Sequence, residues 1–396
     1  MTSSAALTTR NQADPQVASA RRLLVAVFAV LGIVMAAWGA RMPAVQAATN
    51  VGPGQLALAL LAAAAGMVGG LQAGGRIAQR HGPASLLIAP TVAFGLALAA
   101  LGQCRSLLSL SLVAVIFGAA HGLLDVGANA AAVECQKAAG RPIIVSLHAS
   151  YSLGALAGAA LMAVSTDLSH GFLFAIVGVM TAFAALVAAP AVRSVAGLAD
   201  TTQVGSQPGP AVEAPQGSVL PRRSMWLLGG LAAACLLAEG AAADWSAVHL
   251  RGLGGSEAIA AAAYAAYSGA MALGRLFGDR LVARFGPVTV VRAGAALAAL
   301  GLGAGTAAGS LPMALAGWTA LGLGLSTAVP SLIAAAGRGG ARAVGTVAAV
   351  GYLGLLAGPA VIGLLASLTT LPLALALPVL LAAVVAVASR RALEHA

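Results

Sequence analysis

Apolar residues come in runs of about twenty along the chain, each closed by Arg, Pro, Gly or an acid. At a rise of about 1.5 Å per residue, some twenty apolar residues carry one helix across the hydrocarbon core of a bilayer. Twelve such runs can be placed, at 23–42, 54–76, 84–102, 107–132, 144–164, 171–191, 225–248, 257–278, 287–307, 311–336, 343–366 and 371–389. The pattern predicts an all-α integral membrane protein with twelve transmembrane helices. The first run has Arg21 and Arg22 at its entry and eleven further runs behind it, so it reads as a retained span rather than a cleaved leader.

The polar positions between the runs set an orientation. With the N-terminus inside, 18 of the 21 Lys and Arg residues, Arg275 among them, fall on the inner side, and only Arg41, Arg105 and Arg251 fall outside. Positive charge is retained on the cytoplasmic side of membrane helices, so both termini are expected there, in a bacterial-type plasma (inner) membrane. The longest polar stretch, 193–224, divides the spans into two sets of six. The expected organisation is a cytoplasmic tail (1–22), a six-helix bundle (23–192), a cytoplasmic loop (193–224), a second bundle (225–390) and a short tail (391–396).

The two bundles repeat each other. Gly74-Gly75-Arg76-Ile77-Ala78-Gln79-Arg80-His81-Gly82-Pro83 matches Gly278-Asp279-Arg280-Leu281-Val282-Ala283-Arg284-Phe285-Gly286-Pro287 at an offset of 204. Gly154-Ala155-Leu156-Ala157-Gly158 matches Gly354-Leu355-Leu356-Ala357-Gly358 at an offset of 200. Parallel six-helix repeats belong to secondary transporters with a central site between the halves.

Composition agrees with the membrane reading: 60% of the 396 residues are apolar and 8% are charged, against about 25% charged in soluble chains. The net charge of +10 comes from basic residues placed singly or in pairs, which argues against nucleic acid. Cys104, Cys135 and Cys235 lie far apart without a CxxC pair, so neither a disulfide framework nor a metal site is expected. No HExxH, GxSxG or P-loop sequence occurs, and no enzyme and no cofactor are expected.

An ionisable group inside a span costs about 2.5–3.5 kcal/mol on insertion scales and therefore faces a cavity or a partner. In the fourth span His121, Asp125 and Asn129 follow i, i+4, i+8 spacing, which puts them on one helix face. With that span ending near Ala132, Asp125 is expected about 10 Å from its inner end, level with His148 in the fifth span. Asp125 is the candidate proton carrier, with His148 or His121 modulating it; the other reading is a permanently paired structural carboxylate. Glu239 and Asp244 occupy the outer half of the seventh span, and Arg41 ends the first on the same side. Arg41 is expected to pair with Asp244 or Glu239 when the transporter is closed to the outside and to release the pair when it opens, as an outer gate. Asn129, Glu239, Trp38 and Trp245 are candidate liners of a substrate cavity.

Between the second and third spans, Gly75, Ile77, Ala78, Arg80 and Gly82 fit the G-x-L-a-D-R-x-G-R-R signature, and the chain thereby resembles the major facilitator superfamily. The signature Asp falls on Gln79, and in the second copy on Ala283, although Asp279 stands one turn earlier. Asp125-Val126-Gly127-Ala128-Asn129 looks like the acid-x-x-x-Asn element of the fucose:proton symporter group. Trp38-Gly39-Ala40-Arg41-Met42-Pro43 and Glu239-Gly240 with Asp244-Trp245-Ser246 look like that group's uncharacterised bacterial relatives. The first span carries no carboxylate where fucose:proton symporters have one. The resemblance implies the major facilitator fold, two pseudo-repeats clasped on the cytoplasmic side by Gly75, Arg76, Arg80, Gly82, Asp279, Arg280, Arg284 and Gly286. It implies secondary active transport of a small-molecule solute by alternating access, coupled to protons, working as a monomer in the lipid bilayer; without the first-span carboxylate it does not carry sugar specificity over, and sugar or polyol uptake is one open direction. Efflux of small amphipathic compounds and a non-transporting sensor stay open.

Overall fold

The protein is described by a computed structural model covering residues 15–51, 53–165, 167–204 and 220–394. The first half contains α1 (Pro15–Ala40), α2 (Met42–Thr49), α3 (Pro53–His81), α4 (Ala89–Leu101), α5 (Leu107–Ala139), α6 (Ile144–Val164), α7 (His170–Ala188) and α8 (Val192–Val204). The second contains α9 (Arg222–Gly252), α10 (Glu257–Phe285), α11 (Pro287–Ala307), α12 (Leu311–Leu325), α13 (Ala328–Ala336), α14 (Gly340–Leu368), α15 (Leu371–Ala374) and α16 (Ala376–Glu394). Ten stretches of the described residues are long and apolar enough to cross a bilayer, one of which, Leu311–Leu368, runs through α12, α13 and α14 and so holds two passes. With α10 the passes number twelve, as the hydropathy pattern predicts.

Helix ends depart from the predicted bounds for identifiable reasons. A capping box between Ser106 and Ser109 starts α5, and the helix runs on to Ala139, where Gly140 at φ 62° stops it. The tenth span breaks at Ser326 and Thr327 because Pro330, four residues after Ser326, has no N–H to return to its carbonyl. The twelfth breaks into α15 and α16 in the same way, with Pro378 four residues beyond Ala374. The start of the predicted central loop is helical as α8, which buries Val195 and Leu198. Residues 205–219 of that loop, 1–14 of the first tail and 395–396 lie outside the described residues. At 82 and 286 the backbone takes φ 77°, a conformation L side chains avoid, so each copy of the repeat turns on glycine.

Two cores result. One gathers α1, α4, α5, α6 and α7 around Phe28, Phe94, Phe117 and Phe174. The other gathers α9 to α16 around Trp318, Leu321 and Val347 and also takes in Leu71, Ala78 and Val126 from the first half. The repeat is visible in helix packing: a Cβ at Gly154 of α6 would strike the Ala29 carbonyl of α1, and one at Gly354 of α14 the Ala233 carbonyl of α9. Lacking side chains there, both helix pairs approach to backbone contact. The halves meet through α3 and α5 against α14 and through α6 against α10 and α13. Among those contacts, Gly75 against Arg342 and Asp279 against Val145 and Ser146 lie beside the arginine-bearing ends of α3 and α10.

Candidate functional site

A cavity of about 150 Å³ opens between the halves. The first half contributes Phe28 from α1, Asp125 and Asn129 from α5, and His148 and Tyr151 from α6; the second contributes Glu239 from α9, Arg275 from α10 and Tyr352 from α14. Asp125 and Asn129 share the helix face that their spacing predicts. Because α5 continues to Ala139, Asp125 lies about 21 Å from that helix end at 1.5 Å per residue, near the middle of the pass rather than its inner third.

The polar geometry ties the halves together. Asp125 is 8% exposed, and its Oδ1 accepts from Asn129 Nδ2 at 3.2 Å and, at 3.5 Å, from the Tyr352 hydroxyl across the interface. Asn129 Nδ2 also donates to the Asp125 carbonyl, while its Oδ1 is buried without a protein partner. His148 Nδ1 donates to the Ile144 carbonyl at 3.1 Å, which leaves Nε2 as the basic nitrogen of the neutral ring. On the second half, Arg275 Nη2 lies 3.6 Å from Glu239 Oε2. Arg275 Nη1 donates to Ser152 Oγ of α6 at 2.8 Å. The cavity thus holds two carboxylates, one guanidinium and an imidazole among aromatic rings, a set able to bind hydroxyl-bearing solutes and to carry protons.

Arg275 is the residue that sequence reasoning misplaced: counted with the inner-side charges, it is buried in the cavity wall. The available signal was its position inside its own predicted span. Tyr352 and Tyr151 carried no orientation in sequence.

Other predicted residues sit elsewhere. His121 is buried behind the cavity, stacked on Phe94 at 5.3 Å and edge-on to Tyr352 at 6.4 Å. Trp38 packs into the first core against Phe117 and Phe174, because its face of α1 turns inward to the bundle. Trp245 lies against Gly363 of α14. Neither tryptophan lines the cavity. Asp244 is exposed. In this conformation, closed at the arginine-rich face, Arg41 is not paired with Asp244 or Glu239: its Nη2 donates to the carbonyls of Met162 at 2.9 Å and Ser165 at 2.5 Å. The last carbonyls of a helix lack intrahelical donors, so the end of α6 within the same half supplies a ready partner. Glu239 is held instead beside Arg275.

At the arginine-rich face, the two copies of the sequence repeat occupy equivalent places and differ in chemistry. Asp279 of α10 accepts from the backbone N–H of Val145 at 3.0 Å and of Ser146 at 2.9 Å, the first turn of α6. Its counterpart Gly75 of α3 faces the first turn of α14, where a Cβ would lie 3.2 Å from the Arg342 Cα. Arg76, Arg80, Arg280 and Arg284 are exposed; Arg280 lies over the Phe277 ring and Arg284 over the Phe285 ring. Among the described residues, no group of three or more His, Cys, Asp or Glu is placed to hold a metal ion.

No sequence profile of a known family matches the chain. An uncharacterized transporter of Sinorhizobium fredii is 32% identical over 375 residues, covering 92% of this chain and 96% of its own. An uncharacterized MFS-type transporter of Yersinia pestis is 31% identical over 370 residues, covering 92% and 93%. Among solved structures, FucP in its outward conformation superposes with a TM-score of 0.69 at 18% identity over 94% of this chain and 98% of that one; FucP is an E. coli fucose:proton symporter. These relatives are transporters rather than enzymes, and full-length similarity above 30% joins the twelve passes, the internal repeat and the cavity between halves in one conclusion: the chain belongs to the major facilitator superfamily of multi-pass membrane transporters.

Proposed function

We propose that the protein takes up a small hydroxylated solute by proton-coupled alternating access, with Asp125 as the proton carrier and the arginine-rich face toward the cytoplasm. The observation that carries the reading is the setting of Asp125: buried at the cavity wall, outside both ion pairs of the described residues, and bonded across the interface to Tyr352. A carboxylate holds a hydroxyl donor more strongly than its neutral acid does. A proton arriving at Asp125 from outside therefore weakens a bond between the halves, which links proton uptake to the rocking motion. Phe28, Tyr151 and Tyr352 line the cavity with aromatic rings of the kind that pack on the C–H face of a sugar or polyol, and Asn129, whose Oδ1 has no protein partner, lines it too. FucP, similar in fold, is a proton symporter of a sugar.

The test is flux in proteoliposomes loaded against an inward proton gradient, with labelled sugars, polyols and sugar acids outside. A fall in gradient-driven accumulation in D125N, while exchange of solute across the membrane persists, is the expected result. Accumulation by D125N at the wild-type level would overturn the proton-carrier assignment. Outward movement of lipophilic cations alone would replace uptake with efflux, and binding without any flux would make the protein a sensor.

A further inference from the structure

We propose that Arg275 anchors a carboxylate group of the transported solute, with Glu239 as the proton-controlled competitor for the same edge of the guanidinium. The inference rests on the uptake reading and narrows its solute to a hydroxylated monocarboxylate of the sugar-acid type.

A guanidinium presents five N–H donors in a planar fork and holds a carboxylate through two parallel bonds. In Arg275 one of its two terminal nitrogens is committed: Nη1 donates to Ser152 Oγ at 2.8 Å. The opposite edge, formed by Nε and Nη2, is the one left over. Nε is buried without a protein partner, and Nη2 faces Glu239 Oε2 at 3.6 Å, beyond hydrogen-bond length. Glu239 Oε1 is likewise buried without a partner. Two oppositely charged groups thus stand side by side in a cavity wall without closing on each other, and breaking a buried pair is tolerated only when another charge takes the vacated place.

Charge balance shows how both occupants can be served. With Glu239 ionised, it and Arg275 sum to zero. When a proton from the outer medium forms an O–H bond on Glu239, the acid no longer competes, and a solute carboxylate on the Nε–Nη2 edge restores the sum to zero. At the cytoplasmic face, with its lower proton activity, Glu239 releases the proton, regains Arg275 and repels the solute anion. The ionisable groups that act on Glu239 or share its cavity are Arg275 and Tyr267 on α10, Cys235 on its own helix, Tyr151 and His148 on α6, Asp125 on α5 and Tyr352 on α14, with Tyr264 stacked on Tyr267. Arg275 is the guanidinium in that set. Its bond to Ser152 crosses the halves, so whatever occupies its free edge also bears on the closed interface.

The experiment is thermal unfolding of the purified full-length protein with matched pairs: glucuronate and glucose, gluconate and glucitol, galactonate and galactitol, lactate and 1,2-propanediol, each at pH 5.5 and 8. The expected result is stabilisation by carboxylate members and not by their neutral partners, with affinity rising up to about tenfold per pH unit as Glu239 gains its proton. E239Q, which resembles the protonated state, binds the carboxylate with equal affinity at both pH values; R275Q loses it, and R275K weakens it. Stabilisation by neutral members alone, or by none, overturns the inference. If E239Q does not fold, the wild-type protein decides, since carboxylate affinity equal at both pH values overturns it too. The uptake reading fails separately, through absence of gradient-driven flux.

Discussion

Replacing Asp279 with Asn should shift the protein from closed to open at the arginine-rich face. The first N–H groups of a helix have no partners inside it. In α6, which has no side-chain cap of its own at Ile143, Val145 and Ser146 find theirs in the two carboxylate oxygens of Asp279 on the other half. A hydrogen bond to a charged group is worth about 1.5–3 kcal/mol, and a negative charge at a helix N-terminus adds about 0.3–1 kcal/mol. Asn retains one acceptor oxygen and loses the charge, and the partial exposure of Asp279 screens part of the effect. A net loss of about 2 kcal/mol follows, equal to a shift of about 30-fold in the closed-to-open ratio. Spin labels at the exposed positions 141 and 284, in a background without the three cysteines, report that ratio as short and long distances by pulsed electron resonance. A distribution in D279N within threefold of the parent would refute the latch, provided the two proteins unfold at the same temperature.

Two further substitutions separate the contributions of packing and charge. G75V places a branched side chain where even a Cβ lies 3.2 Å from the Arg342 Cα and 3.5 Å from the Ala341 carbonyl; overpacking of about 1–3 kcal/mol should open the same face, read by labels on α3 and α14. R41Q removes charged donors to the Met162 and Ser165 carbonyls, and about 1.5–3 kcal/mol of stability should be lost as a lower unfolding temperature. Because Arg41 and both partners belong to one half, the open and closed populations should not change. A change in those populations without loss of stability would show that Arg41 acts between the halves, as a gate with Asp244 requires.

Much of the site was legible from spacing. His121, Asp125 and Asn129 at i, i+4, i+8 had to share a face, and a face carrying a carboxylate had to turn inward in lipid. The repeat of Gly74–Pro83 at 278–287 anticipated that α3 and α10 occupy equivalent places. What spacing could not supply was rotation of one helix against another. His121 shares the face of Asp125 yet falls behind it, covered by Phe94, and Trp38 turns into its own bundle. Arg41 found carbonyls nearer than the acids of the other half.

Hydropathy determined the number of passes, and the polar stretch after the sixth with the internal repeat marked the division into halves, because transfer into hydrocarbon depends on each segment's own side chains. Caps, proline breaks and the glycines at 82 and 286 were local too, set within one or two turns of backbone. The partnership of Arg275 with Glu239 and Ser152, the reach of Tyr352 to Asp125 and the capping of α6 by Asp279 were decided only by the tertiary structure. These pairs join residues 36 to 227 positions apart. Their meeting depends on how two six-helix bundles close on one another, a property of packed surfaces that no single segment carries.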